Sequence, residues 1–331
     1  MSKISVLDLS PVTMGSTPTN ALHNSLDLAQ HAEQWGYQRY WVAEHHNMKG
    51  IASAATSVVI GYIAGGTSTI RVGSGGIMLP NHSPLVIAEQ FGTLASLYPG
   101  RIDLGLGRAP GTDQITAQAL RRTLAGSAED FPRDVVELQH YLGDTQPGQQ
   151  VTAVPGAGTN VPLWILGSSL FGAQLAAMLG LPFAFASHFA PEMMMQAIEI
   201  YRDRFKPSEQ LQAPHLMLGF NVCAADTDEE AHYLRSSSLQ SFLNLRRGTP
   251  GLLPPPIQDF EESMTAQDRA ILAQMSRCSA VGSIDTVVKG MTDFINKTGA
   301  DELMIVSSIF DHKKRLYAFE IAADAAQKIE E

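Results

Sequence analysis

Short runs of apolar, β-prone residues alternate along the chain with segments whose apolar residues recur every three to four positions. The strand-like runs are ISVLDLS (4–10), RYWVAE (39–44), TIRVGSGGIML (69–79), RIDLGLG (101–107), PLWILGS (162–168), PFAFAS (182–187), HLMLGFNVCAA (215–225) and ELMIVSS (302–308). Between them the helical period takes over. In ALHNSLDLAQHAEQWG, Leu22, Leu26, Ala29, Ala32 and Trp35 keep to one face. Gly36, Gly180 and Gly299 stand where such helices should stop. Strand–helix alternation implies a parallel sheet, because these crossovers are too long for hairpins. Eight such units fit a closed (β/α)₈ TIM barrel, which needs roughly 250 residues. The surplus falls into insertions after strands 4 and 7, at 109–161 and 240–283, the second carrying RRGTPGLLPPPIQDFEES. Neither shows a repeat or low complexity, so residues 1–331 read as a single domain. A doubly wound open sheet is the competing arrangement, and strand count alone does not exclude it.

The strand ends carry more information than the count. Ser10 follows the first strand and Glu44-His45-His46 the second. Gly75-Gly76 and then Asn81-His82 end the third, Arg108 the fourth and Ser168-Ser169 the fifth. Ser187-His188 closes the sixth, while Ser307-Ser308 and Asp311-His312 close the eighth. In a barrel all carboxyl ends open on one face, which carries the chemistry. Any strand turns polar where it meets water. Histidine, arginine or paired serines at most of eight ends favour a binding face over that simpler explanation.

Composition narrows the partners. With 23 Lys and Arg against 33 Asp and Glu, the formal charge is −10, a surface that repels a nucleic-acid backbone. Asp8 interrupts the first apolar run and no cleavage-like site follows, so the amino terminus does not read as a signal peptide. The longest mostly apolar stretch, Ile51 to Ala64, is too short for a membrane span and contains Ser, Thr and Gly. Cys223 and Cys278 are far apart, without metal-ligand spacing. The expectation is a cytoplasmic protein with two reduced, buried thiols.

Three stretches suggest chemistry. GSSLFGAQLAAMLG (167–180) is a strand–turn–helix junction where Ser168 or Ser169 can cap the helix and free N–H groups can hold an anion. Arg108, directly after RIDLGLG, adds a cation suited to a phosphate, and Gly105 and Gly107 leave room near the backbone. No Gly-x-Gly-x-x-Gly lies between a strand and a helix near the amino terminus, so a Rossmann-type nicotinamide site is not supported. The glycines of GSGGIMLPNHSP (73–84) mark either a bulge or the close approach of a flat ring. In WVAEHHN (41–47), adjacent His45 and His46 on an extended strand would point to opposite sides and could not both grip one ion. No metal site is expected there, and His45 better suits proton transfer near neutral pH.

Three longer stretches carry a resemblance. YWVAEHHNMKGIASAATSV, VGSGGIMLPNHSPLVIAEQFGTLASLYPGRIDLGLGRAPGTD and GADELMIVSSIFDHKKRLYAFE resemble the bacterial luciferase-like, flavin-dependent monooxygenase superfamily, over essentially the whole chain. The resemblance implies a (β/α)₈ barrel binding FMN at the carboxyl face, usually as a homodimer. Reduced FMN would come from a separate flavin reductase and, with O₂, oxygenate a small organic substrate. By position His45 matches the active-site histidine, and Glu44 the carboxylate residue whose backbone lies near the flavin ring. Gly75-Gly76 matches the non-prolyl cis peptide beneath the isoalloxazine. Arg108, Ser168, Ser169 and the turn through Gly172 match the phosphate-binding positions, and His188 lines the substrate side. Gly107 stands where true luciferases carry a reactive cysteine, and a serine where they have a carboxylate after the fifth strand, which argues against light emission. Relatives on the same barrel transfer hydride with a deazaflavin, and others hold flavin without chemistry. Ile51–Ala64 and Leu85–Leu97 offer apolar helices for a dimer interface, and loops 109–130 and 245–262 walls for the substrate.

Overall fold

Nine strands form among the described residues: β1 Lys3–Asp8, β2 Arg39–Val42, β3 Arg71–Met78, β4 Ile102–Gly107, β5 Leu163–Gly167, β6 Phe183–Phe185, β7 Leu216–Ala224, β8 Ser279–Gly282 and β9 Glu302–Val306. A computed structural model describes residues 3–109, 114–120, 129–273 and 275–329. The helices are α1 Pro18–Gln34, α2 Thr56–Gly65, α3 Pro84–Leu97, α4 Gln114–Leu120, α5 Phe131–Leu142 and α6 Leu170–Leu179. They continue as α7 Met194–Arg204, α8 Asp228–Arg246, α9 Phe260–Ser263, α10 Ala266–Leu272, α11 Ile284–Thr298 and α12 His312–Lys328.

Every pairing between these strands is parallel. Following neighbours, β1 pairs β2, and pairing runs on through β3, β4, β5, β6 and β7 to β9, which returns to β1. That closes an eight-stranded barrel and excludes the open sheet. The eight strand-like runs all become barrel strands, shortened at their ends. β8 is an addition the pattern did not reveal. Asn221 pairs with Val306 on one side and Ser279 on the other, so β8 extends the β6 edge beyond the short β6. Its four residues SAVG are too few to show alternation. The segment between β4 and β5 holds α4 and α5, and that between β7 and β9 holds α8 to α11 with β8.

Helix ends follow local chemistry. Thr17 and Thr227 cap α1 and α8 by accepting the N–H of Asn20 and Glu230, and Asp311 caps α12. Gly180 and Gly299 end α6 and α11 in the left-handed conformation that a β-carbon disfavours. The main core lies between barrel and helices, where Leu28, Ile60, Phe91, Leu138 and Tyr201 are fully buried. Each contributes about 1.5–3 kcal/mol relative to exposure. A smaller cluster fills the barrel, with Trp41 and Trp164 edge to face at 5.1 Å among Leu7, Met217 and Met304.

The amino ends of the strands are closed by an ionic plug. Arg39 donates to Asp103 at 2.7 Å and Glu302 at 2.8 Å, Arg71 holds the other Asp103 oxygen at 2.5 Å, and His215 reaches Glu302 at 3.2 Å. Burial alone would raise the Glu302 carboxyl; His215, Arg39 and Ser5 outweigh it and bring it down to about 2. A second buried pair, Asp8 with Arg315 at 2.8 Å, joins α12 to β1 and also takes in Ser25 and Tyr40. Both cysteines are buried and unpaired; burial pushes the Cys223 thiol up to about 12 and Cys278 to about 11. No described helix is long and apolar enough to cross a membrane.

Candidate active site

The carboxyl ends of the barrel strands surround a cavity of about 990 Å³, at the top of the range that holds drug-sized ligands. His45, Gly75, Gly76, Arg108, Ser168, Ser169, Gly172 and His188 all line it. The chain therefore brings eight of the nine expected site residues to one space. The ninth, Glu44, lies behind the wall with a side chain only 1% exposed.

Glu44 organises the loops beside the cavity. One carboxylate oxygen accepts from the Met78 N–H at 3.0 Å; the other meets Nε2 of His46 and of His82, each at 2.8 Å. Burial would raise this carboxyl, but the hydrogen bond and charge of His82, with hydrogen bonds from His46 and the Met78 N–H, hold it below the usual range. Glu44, His46 and His82 bring ligand-type atoms within 4.8 Å of one another. Direct hydrogen bonds join Glu44 to both histidines. The expectation that His45 and His46 point to opposite sides is corrected. β2 stops at Val42, both histidines lie in the loop beyond, and both reach the cavity.

The glycines of β3 have a packing reason. The β3–β4 register shifts between Ser74 and Ile77, a bulge at the Gly75–Gly76 bond, which is cis. A β-carbon at Gly75 would sit 2.6 Å from Leu7, and one at Gly76 would sit 2.7 Å from the Gly105 carbonyl. Both residues also present bare backbone to the cavity, so the bulge and an open wall for a flat ligand coexist. Gly105, expected to leave room for a ligand, instead admits the Ser74 carbonyl, 2.2 Å from where its β-carbon would be.

Directly after β4, Arg108 stacks on Phe171, its guanidinium carbon 4.2 Å from the ring centre. Among the described residues no hydrogen bond or carboxylate engages that guanidinium. Ser169 occupies the cap position of α6, yet neither it nor Ser168 spends its hydroxyl on the helix, contrary to the capping expected from sequence. A cation, two hydroxyls and unused helix N–H groups therefore converge on one end of the cavity, a donor set that fits a phosphate.

His188 lies against β7. Its Nδ1 is buried without a hydrogen-bond partner among the described residues, its carbonyl accepts from Asn221 at 2.8 Å, and its ring rests over Gly219. Burial, then the neighbouring His45, lowers its pKa to about 4, so this imidazole is neutral at pH 7. That makes it a hydrogen-bonding group rather than a proton donor there.

The family model for luciferase-like monooxygenases matches residues 2–302. The chain belongs to this family. It is 54% identical to a "Luciferase-like monooxygenase" of Escherichia coli K12 over 98% of this chain and 97% of that one. It is 32% identical to the "N-acetyl-S-alkylcysteine monooxygenase" of Bacillus subtilis, with 98% of each covered. Among solved structures, apo-MsnO8 superposes with TM-score 0.88 at 37% identity, covering 99% of both chains. The oxygenating constituent of 3,6-diketocamphane monooxygenase from Pseudomonas putida, in complex with FMN, gives TM-score 0.73 at 16% identity and 99% coverage of both. An F420-dependent secondary alcohol dehydrogenase gives 0.64 at 15%, with 98% of each covered. At such identities the last two establish the shared barrel.

In this family member several lining residues escaped the sequence reading. Arg235, Ser238, Phe242 and Leu245 come from one face of α8, and Ser279 and Val281 from β8. The spacing along α8 follows three, four and three residues, a helical face that could have been found, although its polar and apolar members blur the pattern. Within loop 245–262, expected to wall the substrate, Leu253 lines the cavity and pairs with Thr13, whereas Phe260 packs in a separate cluster with Leu239 and Leu272. Of loop 109–130, residues 110–113 and 121–128 lie outside the described residues.

Proposed function

We propose that this chain is an FMN-dependent monooxygenase that receives reduced flavin from a separate flavin reductase and oxygenates a small organic substrate with O₂. The observation that carries this is the Arg108 guanidinium, stacked on Phe171 at the start of α6 and, among the described residues, unmatched by a carboxylate, in a cavity walled by Gly75 and Gly76. Reduced FMN, when bound, supplies the electrons by which O₂ gives one oxygen atom to the substrate and one to water.

The residues divide the remaining work. Arg108, Ser168, Ser169 and the first N–H groups of α6 hold the phosphate, and Gly172 lets the helix start lie close to β5. Gly75 and Gly76 offer a face without side chains to the ring. His45 gives or takes the proton, and neutral His188 orients a polar atom of substrate or ring. Leu7, Val306 and Ile309 line the wall and exclude water. In this reading the electrons come from a partner enzyme, in the cytoplasm. Exposed apolar side chains on α2 and α3, among them Val58 (71% exposed) and Leu97 (63%), support a homodimer.

The test supplies flavin reductase, NADH, FMN and a bacterial metabolite extract under ¹⁸O₂. An organic product bearing the label, absent with His45→Ala while FMN affinity is retained, is the expected result. Unlabelled, oxidised product made without O₂ uptake would instead identify hydride transfer.

A further inference from the structure

The cavity is larger than its phosphate end, and its other side holds a second cation. α8 follows β7, whereas α6 follows β5 and Arg108 follows β4, two and three strands away round the barrel. Arg235 on α8 lines the cavity with a side chain only 12% exposed. Its bonding is thin. One nitrogen donates to Ser276 Oγ at 3.0 Å, and the nearest carboxylate, that of the 43% exposed Glu261, lies 4.0 Å away. Arg39 and Arg315, also enclosed, are held more fully. Arg39 is held by two carboxylates at 2.7 and 2.8 Å, and Arg315 by Asp8 at 2.8 Å and the Ser307 carbonyl at 2.9 Å. A guanidinium taken out of water without such partners is costly. Burial accordingly makes Arg235 easier to deprotonate than an ordinary arginine. The same cavity is lined further along α8 by Ser241, Phe242 and Leu245, and by Met275 and Ser279.

We propose that Arg235 anchors a carboxylate of the substrate, so that this enzyme acts on organic acids with an apolar body lying between α8 and the Gly75–Gly76 wall. The planar fork of a guanidinium matches a carboxylate in two parallel hydrogen bonds. A single cation amid apolar walls suits a monoanion better than a phosphate dianion. This inference rests on the reading of the cavity as a substrate chamber, and it adds the class of molecule the chamber selects.

The experiment needs no flavin. Hexanoate, octanoate and N-acetylmethionine are titrated calorimetrically into the full-length apoprotein, each against its methyl ester, with FMN titrated separately. The expected result is saturable binding of at least one acid, tenfold or more tighter than its ester. In Arg235→Met that preference disappears, FMN affinity is unchanged and the melting temperature is not lowered. No preference for any acid over its ester, or a preference surviving in Arg235→Met, overturns the proposal. So does loss of FMN affinity in Arg235→Met, which would make Arg235 part of the flavin site. Failure of FMN to bind the wild type, with acid selectivity intact, would remove the flavin reading and leave this one standing.

Discussion

His188 and Gly219 fit together so closely that a β-carbon on the glycine would lie 2.0 Å from Nδ1 of the histidine. The ring therefore takes its place at the cavity wall because β7 has no side chain at that point. Gly219→Ala forces the ring away or the strand outward. Overpacking of this kind costs about 1–3 kcal/mol. A lowered melting temperature, together with loss of substrate turnover in the fraction that remains folded, is the expected outcome.

The same histidine gives stability a pH dependence. Its folded pKa of about 4 lies below the ordinary value of 6.5, so between those values the unfolded chain binds a proton that the folded chain refuses. Stability is complete above pH 6.5 and falls as pH drops towards 4, by up to about 3 kcal/mol. Glu44 acts in the same sense lower down. Its depressed folded pKa means that its contribution, present above the unfolded carboxylate value, is lost as pH falls through the folded one. Urea denaturation at pH 7, 5.5 and 4.5 should show a shallower decline in His188→Asn than in the wild type.

Asp103 marks the opposite end of the barrel. It holds Arg39, Arg71 and the Trp41 indole N–H, the last at 3.2 Å. Asp103→Ala leaves buried donors without their acceptor, at a cost of about 3–5 kcal/mol. Chemical denaturation should register that loss, while FMN affinity of the folded protein stays as in the wild type, because the plug lies at the amino ends of the strands and the cavity at the carboxyl ends.

The eight barrel strands were legible because each is an apolar run buried on both faces, and the helices between them keep one periodic stripe. Strand β8 was not, because four residues carry too little pattern, and it exists through its pairing with β7. Arg108, Ser168 and His188 could be placed because they sit at strand ends, where barrel geometry decides which way they open. Arg235 could not, since α8 turns a mixed face to the cavity and only the tertiary path of the segment after β7 reveals it. The joining of Glu44 to His82 was equally hidden, since it depends on how two loops fold back on each other after β2 and β3. The β3 glycines suggested a ligand or a bulge with equal force, and the packing of Leu7 and Gly105 shows that the bulge needs them in any case.

The most direct test of the central claim is an anaerobic calorimetric titration of reduced FMN into wild type and Arg108→Ala. Saturable binding at one site per chain, weakened tenfold or more in Arg108→Ala, is the predicted result, that being the scale of a charge-assisted hydrogen bond to phosphate. No saturable binding to the wild type, or equal affinity in the two proteins, would contradict it.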